Sequence, residues 1–348
     1  MERRLSPAAF AVSALVMTLS LLGAAVVAPQ NDYYRWQELD HGTTRKADWI
    51  YERLHFDAEP IDVALIGTSR TGGGLSGPDI EAAYCAATGR RIRVANLSIP
   101  ETGRNIHYVI AKEAMRAKRP ALTVIELNEI EARRQHRGFV ALADVEDIVT
   151  APIIANLNYF PDLARLPGRQ AVLWFRTLTG RGAVKSKFDP AAYQGHDLDR
   201  TRALPLLDGT VVSRYTAAPR DELDAGRASR TEARAGMRRV PSAIRKFEHR
   251  VPRLYLQKID ALAAANGRMV DYVFLPAWRE GALPRALTDD LGVTAPVIDL
   301  GGRIAEDPGK WLDATHVNAW GAAELSSRFA AELVRRYPAL GEKDCART

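Results

Sequence analysis

The sequence predicts an α/β fold, a parallel sheet flanked by helices, and three observations predict it. Short apolar runs end in turn residues. A helical pattern follows each run. The order strand–helix–strand–helix–strand fills residues 62–127 without a break. Alternation at this spacing builds βαβ units, whose strands pair in parallel.

The elements follow in chain order. Residues 62–66 form a compact apolar strand that stops at Gly67. Residues 78–88 read as a helix closed by Gly89, the residue that best accepts the left-handed C-cap. A second strand covers 92–97 and runs into a loop through Pro100 and Gly103. A helix over 105–117 stops at Lys118-Arg119-Pro120, and a third strand, 122–127, ends at Asn128. Between about 132 and 240 the alternation is lost: prolines, glycines and arginines are scattered among Tyr159, Phe160, Trp174, Phe175 and Tyr215. This stretch is expected to be a mainly helical or irregular insertion, acting as a cap or a partner-binding surface. Regular order returns with a helical stretch at 242–266, strands at 269–275 and 296–300, and a closing helix at 319–337.

The N-terminus carries a targeting signal. Met1-Glu2-Arg3-Arg4 precedes an uncharged run over 5–30, and residues 7–28 are almost wholly apolar. A helix of roughly 20 such residues crosses a bilayer. The arginines before it favour a cytoplasmic N-terminus and an exported domain. The rival is a cleavable signal peptide, for which Val26-Val27-Ala28 is a weak cleavage site. The apolar run exceeds the usual signal-peptide core, so a retained anchor is expected. The chain then divides into 1–30 as cytoplasmic N-terminus and transmembrane anchor, 31–59 as a linker with a short helix, and 60–348 as the α/β domain.

The 348 residues carry a net charge of +6, and 47% are hydrophobic, enough for a sizeable core. The basic residues are spread along the chain and form no block interleaved with aromatics, which argues against nucleic acid as a partner. The two cysteines, Cys85 and Cys345, lie in a helix and in the polar tail. A disulfide between them is chemically open in an oxidising compartment, but nothing local demands it, and two free thiols are expected. No His/Cys spacing suggests a metal site, and no cofactor is expected.

Two short motifs carry the chemistry. Gly67-Thr68-Ser69-Arg70 follows the first strand, and Asp313-Ala314-Thr315-His316 precedes the last helix. A serine on a turn after a strand presents its hydroxyl among free backbone N–H groups. Alone it serves equally well as a helix cap, and the glycines after it lack the Gly-Lys-Ser/Thr ending of a phosphate-binding loop. A histidine acts as general base when a carboxylate on its other nitrogen fixes its tautomer, and a spacing of three residues lets Asp313 do this for His316. In an open parallel sheet, ligands bind beyond the carboxyl ends of the strands, so Ser69, Gly103, Asn128 and Pro276 are expected to converge on one edge.

These blocks together resemble the SGNH (GDSL-like) hydrolase superfamily. The resemblance covers roughly residues 60–130 and 268–337; the insertion matches nothing in it. It implies a three-layer fold with Ser69 as nucleophile, Asp313 and His316 completing the triad, and Gly103 and Asn128 in the oxyanion hole. Thr68 replaces the usual aspartate of Gly-Asp-Ser, and the third block reads Glu126-Leu127-Asn128-Glu129 rather than Gly-x-Asn-Asp. These variants, with Asp-x-x-His-x-Asn-x-x-Gly, look more like the membrane-anchored branch. That branch includes proteins of alginate and other exopolysaccharide O-acetylation and the D-alanyl transfer protein of teichoic acid modification. It implies an inner-membrane protein with a periplasmic domain. It also implies acyl transfer, as acetyl, to a cell-envelope polysaccharide and a membrane-bound O-acyltransferase as partner.

Among the neighbours, Arg70 is read two ways: as a substrate-binding cation for an anionic substrate, or as the partner of a structural carboxylate. Glu126 and Glu129 are expected to orient the Asn128 loop rather than to act as catalytic acids. Asn318 is expected to cap the last helix and Trp320 to pack. His107 shares its local motif with no acid. The expected activity is that of a serine acyltransferase or esterase. The alternative is a non-catalytic scaffold of the same fold that binds polysaccharide or docks onto a membrane acyltransferase.

Overall fold

The computed structural model describes residues 6–37, 47–129, 131, 135–180, 199–205, 210–236, 241, 247–343 and 345. Its centre is a five-stranded sheet of β1 (Val63–Ile66), β2 (Val94–Asn96), β3 (Leu122–Leu127), β4 (Met269–Phe274) and β5 (Ile298–Asp299), in the order β2-β1-β3-β4-β5. Every pairing in it is parallel. The central strands β1 and β3 are buried along their whole length, as expected of a parallel sheet covered on both faces.

The two-residue period of the strands sorts the core into two layers. Ala64, Ile66, Ile125 and Leu127 face one side, where they join Ile106 and Ile110 of α6 (Arg104–Ala117) and Tyr255, Leu256 and Ile259 of α11 (Arg250–Ala265). Val63, Leu65, Leu122 and Val124 face the other, against α5 (Gly77–Thr88) and α13 (Ala319–Arg336), where Ile80, Tyr84, Leu325 and Phe329 are fully or almost fully buried. Burying one such side chain stabilises the fold by about 1.5–3 kcal/mol.

Local chemistry fixes the helix ends. Ser76 caps α5 by accepting the Asp79 N–H, Pro78 stands in its first turn, and Gly89 closes it at φ 66°. Asn318 caps α13 by accepting the Gly321 N–H at 3.0 Å. Trp320, beside it, is exposed and makes an edge contact with Tyr215 instead of entering the core. One layer out, its position on the second residue of an amphipathic helix turns it away from the Leu325–Phe329 face.

Three other expectations are corrected. Segment 31–59 is not a plain linker: α2 (Asp32–Gln37) and α3 (Ala47–His55) pack onto the α6 side of the core through Tyr33, Trp36, Trp49, Ile50 and Leu54. The aromatic residues near its start have enough apolar area to be drawn out of solvent. Cys85 and Cys345 are not free thiols: they form a disulfide, with Cα atoms 5.9 Å apart. A two-strand ladder of Arg90–Arg91 with Glu342–Lys343 brings the tail alongside α5. The helix expected over 242–266 begins at Arg250; residues 242–246 lie outside the described residues.

α1 (Pro7–Val27) is long and apolar enough to cross a membrane and buries none of its residues. It packs against α9 (Tyr159–Thr179), the longest helix among the described residues of the insertion. The described parts of the insertion also contain α7 (Phe139–Leu142), α8 (Val145–Val149), a small antiparallel ladder of Ala203–Pro205 with Val211–Ser213, and α10 (Arg220–Gly236).

Candidate active site

The strand order reverses direction between β1 and β3, which leaves a crevice beyond their carboxyl ends. Ser69 follows β1 and Asn128 follows β3, so both stand at that crevice. Ser69 is the first residue of the one-and-a-half-turn helix α4 (Ser69–Gly74), which Thr68 caps by accepting the Arg70 N–H. The N–H of Ser69 belongs to the first turn of α4, where helix geometry supplies no acceptor.

A buried carboxylate holds this turn. Glu126, fully buried in β3, accepts the Thr68 N–H at 2.7 Å and the Thr68 hydroxyl at 2.9 Å. It also accepts the N–H and hydroxyl of Thr71. Gly67 is required by that approach: a Cβ there would lie 2.2 Å from Thr71 Oγ1 and 2.4 Å from Glu126 Oε2. The threonine at 68 also has a physical reason. An aspartate would set a second carboxylate against Glu126, whereas threonine donates to it.

His316 approaches from the other end of the chain. Its Nε2 lies 2.8 Å from Ser69 Oγ, and its Nδ1 lies 2.9 Å from Asp313 Oδ2. Asp313 also accepts the backbone N–H groups of Thr315, at 2.6 Å, and His316, at 2.9 Å. Partial burial pushes the Asp313 carboxyl upward, but the His316 bond, the His316 charge and the two N–H groups outweigh it and hold it down at about 2. It is therefore an anion, and when a neutral His316 donates Nδ1–H to it, Nε2 is left as the acceptor facing the serine. The loop is fixed by a bridge between Trp311 and Val317, by the Trp278 N–H on Ala314 O at 3.0 Å, and by the edge contact of the Trp278 and Trp311 rings.

Asn128 is nearly buried, lines the cavity beside Ser69, and has an amide oxygen with no hydrogen-bond partner among the described residues. Gly103 caps α6, and it is Glu101 and Thr102, just before it, that line the cavity wall. A Cβ on Gly103 would meet His136 Cβ at 2.6 Å. The insertion thus presses on the loop here, and His136 fastens it further by contacting Pro100 O and donating its N–H to Asn105 Oδ1. His107 is fully buried below, against Arg104, with its pKa driven down by burial and by the Arg104 charge.

Arg70 reaches across to Glu129 with two parallel bonds of 2.6 and 2.7 Å, while still lining the cavity. The geometry gives it a carboxylate partner, which is one of its two readings.

The residues that sequence reasoning missed come from α10. This helix lies over the 313–316 loop, and a Cβ on Gly226 would sit 2.7 Å from Ala314 Cβ. One turn on, Arg230 donates to Ala314 O at 3.1 Å and to Glu129 at 2.6 Å. Arg234 donates to Glu129 at 2.6 Å and to Glu280 at 2.9 Å. Burial raises the Glu129 carboxyl, but Arg70 and Arg230 overcome it and hold it at about 2. The result is a cavity of about 290 Å³ with Ser69 and Asn128 on its floor and Arg230, Ala233 and Arg234 on its roof. The available signal was the spacing of Leu223, Gly226, Arg230 and Ala233, which puts them on one helix face.

The chain matches no known family model and no curated protein.

Proposed function

We propose that this protein is a serine acyltransferase or esterase, held by α1 in the inner membrane with its α/β domain in the periplasm. One observation carries the reading: Ser69, His316 and Asp313 form a continuous relay, 2.8 Å and then 2.9 Å, from positions 247 residues apart. Chance seldom aligns a hydroxyl, an imidazole and a carboxylate in this order on the ligand-binding edge of a parallel sheet.

In the proposed reaction Ser69 Oγ attacks an acyl carbonyl while its proton passes to His316 Nε2. Asp313 keeps the imidazole oriented and stabilises its charged form. The oxyanion is met by the Ser69 N–H, the Asn128 amide and the Gly103 loop. Collapse expels the leaving group, which takes the proton from His316, and leaves an acyl-serine. A hydroxyl of a cell-envelope polysaccharide then attacks that ester, His316 again takes a proton, and Ser69 is regenerated. Water in place of the hydroxyl makes the same cycle an esterase. The acyl group we propose is acetyl, supplied by a membrane-bound O-acyltransferase partner.

Two further features support the setting. α1 has the length and hydropathy of a membrane span. A disulfide is the form two cysteines take in an oxidising compartment such as the periplasm.

The test combines an active-site-directed phosphonate with an acyl-transfer assay. Labelling of Ser69, lost in Ser69→Ala and in His316→Ala together with activity, is the expected result. Unchanged ester hydrolysis and transfer in both variants would sink the assignment. A phosphonate that never labels Ser69, in a protein that still binds its polysaccharide, would favour a scaffold instead.

A further inference from the structure

Helix α9 has two apolar faces, and among the described residues only one of them is packed into the core. Its inner face is fixed: Leu166 and Leu173 are buried in the core, and Arg176 stacks over the Tyr34 ring at 4.9 Å. Its outer face exposes Phe160, Val172, Phe175 and Leu178, at helical spacing, with Ala164 and Ala171 between them. The loop before it adds Ile153, Ile154 and Leu157, and Leu157 is 63% exposed. Outside α1, most of the large apolar side chains exposed among the described residues fall in this one stretch, Val149 to Leu178. Apolar surface concentrated in this way on an otherwise polar domain marks a docking face.

Its occupant follows from the way α9 is tied to α1. Gln170 donates to Val26 O in the last turn of α1 at 3.2 Å, and Asn31, four residues after α1, donates its N–H to Thr177 Oγ1 at 3.0 Å. The two helices pack directly on each other. If α1 crosses a membrane, its last turn lies at the membrane surface, and α9 is bonded to that turn. A helix with an apolar outer face, an aromatic residue near each end and its inner face tied to the protein can lie in the plane of the lipid interface.

We propose that α9 and the loop 153–157 form a second membrane contact, an interfacial helix that sinks its Phe160–Phe175–Leu178 face into lipid. Two contacts fix the tilt of the domain, where a single span would let it swivel. This proposal rests on the reading of α1 as a membrane span, and its test separates the two.

Full-length protein is reconstituted in phospholipid vesicles with a single environment-sensitive thiol label at Phe175→Cys, Leu178→Cys, Ile154→Cys, Leu19→Cys or Ala228→Cys. The native cysteines are paired and take no label. Quenching is read with lipid carrying a spin label near the headgroup, with lipid labelled deep in the chain, and with aqueous iodide. The proposal expects labels at 175, 178 and 154 to lose fluorescence to the shallow lipid and to resist iodide, while the label at 228, on exposed α10 surface, does the reverse. Loss to iodide at 175 and 178 overturns the proposal. So does protection from both quenchers, which would mean that protein, such as a second copy or a partner, covers the face. The label at Leu19 answers separately for α1 through the deep lipid. Deep quenching at 19 with iodide quenching at 175 leaves the span standing and removes the interfacial helix. No quenching at 19 with shallow quenching at 175 removes the span and keeps the lipid contact.

Discussion

Thr68 gives both its backbone N–H and its hydroxyl to the carboxylate of Glu126, at 2.7 and 2.9 Å, although the two residues belong to different strands' ends. The turn that presents Ser69 is therefore not held by local sequence. It is suspended from β3, and Thr68 and Glu126 are one device. A buried acceptor needs donors, and Thr68 with Thr71 supplies them.

That pairing predicts a charge-swap pattern. Thr68→Asp sets two carboxylates against each other, and Glu126→Gln replaces an acceptor oxygen with a donor. Each single change is expected to cost about 1–3 kcal/mol of stability, the penalty for an unmatched buried polar group. The double change Thr68→Asp with Glu126→Gln restores a donor–acceptor pair and is expected to recover part of the loss. A double-mutant cycle in urea measures the coupling, and strictly additive losses would dissociate the two residues.

The relay itself predicts graded losses in ester hydrolysis. Asp313→Asn removes the anion that selects the His316 tautomer and is expected to lower kcat by about 10⁴-fold. In the proposed reaction Asn128→Ala removes one oxyanion donor and is expected to lower it by about 10²–10³-fold. KM should change little in both. A loss confined to KM at Asn128 would place that side chain in ground-state binding rather than in the oxyanion hole.

How much of this was legible in the sequence divides by range. The strands were readable because each apolar run is bounded by a residue that cannot continue it, as with Gly67 and Asn128. Ser69, Asp313 and His316 were readable because each motif is local. The roof was not. Gly226, Arg230 and Arg234 fall in the stretch where the strand–helix alternation is lost, and their partners, Ala314, Glu129 and Glu280, are 46 or more residues away. The Cys85–Cys345 bridge spans 260 residues and escaped for the same reason. Glu101 and Thr102, rather than Gly103, line the cavity wall, and nothing local reports the pressure of His136 on that loop.

The roof arginines predict a substrate preference. Among the described residues Arg70, Arg230 and Arg234 bond two carboxylates, Glu129 and Glu280, so the guanidinium groups outnumber the acids they bond by one, and Glu101 also lines the cavity. Arg234→Ala removes the roof guanidinium that bonds Glu129 and Glu280. It is expected to raise KM for an anionic acyl acceptor about tenfold, one exposed ion pair plus a hydrogen bond, with kcat and the KM for a neutral ester nearly unchanged. Equal effects on both substrates would make Arg234 a purely structural residue of α10.

Acid should loosen the same cluster. Glu129 is held at about 2 against an ordinary value near 4.5, and Asp313 at about 2 against 3.8. A carboxyl whose folded pKa is depressed contributes stability above its unfolded value and loses it as pH falls through the folded one. Tm is therefore expected to fall between about pH 4.5 and pH 2. Glu129→Gln should lower Tm at pH 7, because three guanidinium groups lose their shared partner, and should make the acid fall shallower. An unchanged acid limb in Glu129→Gln would remove Glu129 from it.

Asp162 predicts the opposite sign. It sits on the inner face of α9, is nearly fully buried, and burial pushes its carboxyl from an ordinary 3.8 up to about 6, with Arg165 pulling the other way. A raised pKa means that the folded state binds the proton better than the unfolded chain does. The stabilising contribution is complete below about pH 4 and is lost as pH rises through about 6. At neutral pH the fold carries a charged carboxylate against the core, at a cost of at most about 3 kcal/mol. Asp162→Asn removes that charge without changing the shape of the side chain. It is expected to raise Tm at pH 7.5 and to leave it nearly unchanged at pH 4, so that the gain itself titrates between the two. A gain independent of pH would mean that the substitution improves packing rather than relieving a buried charge.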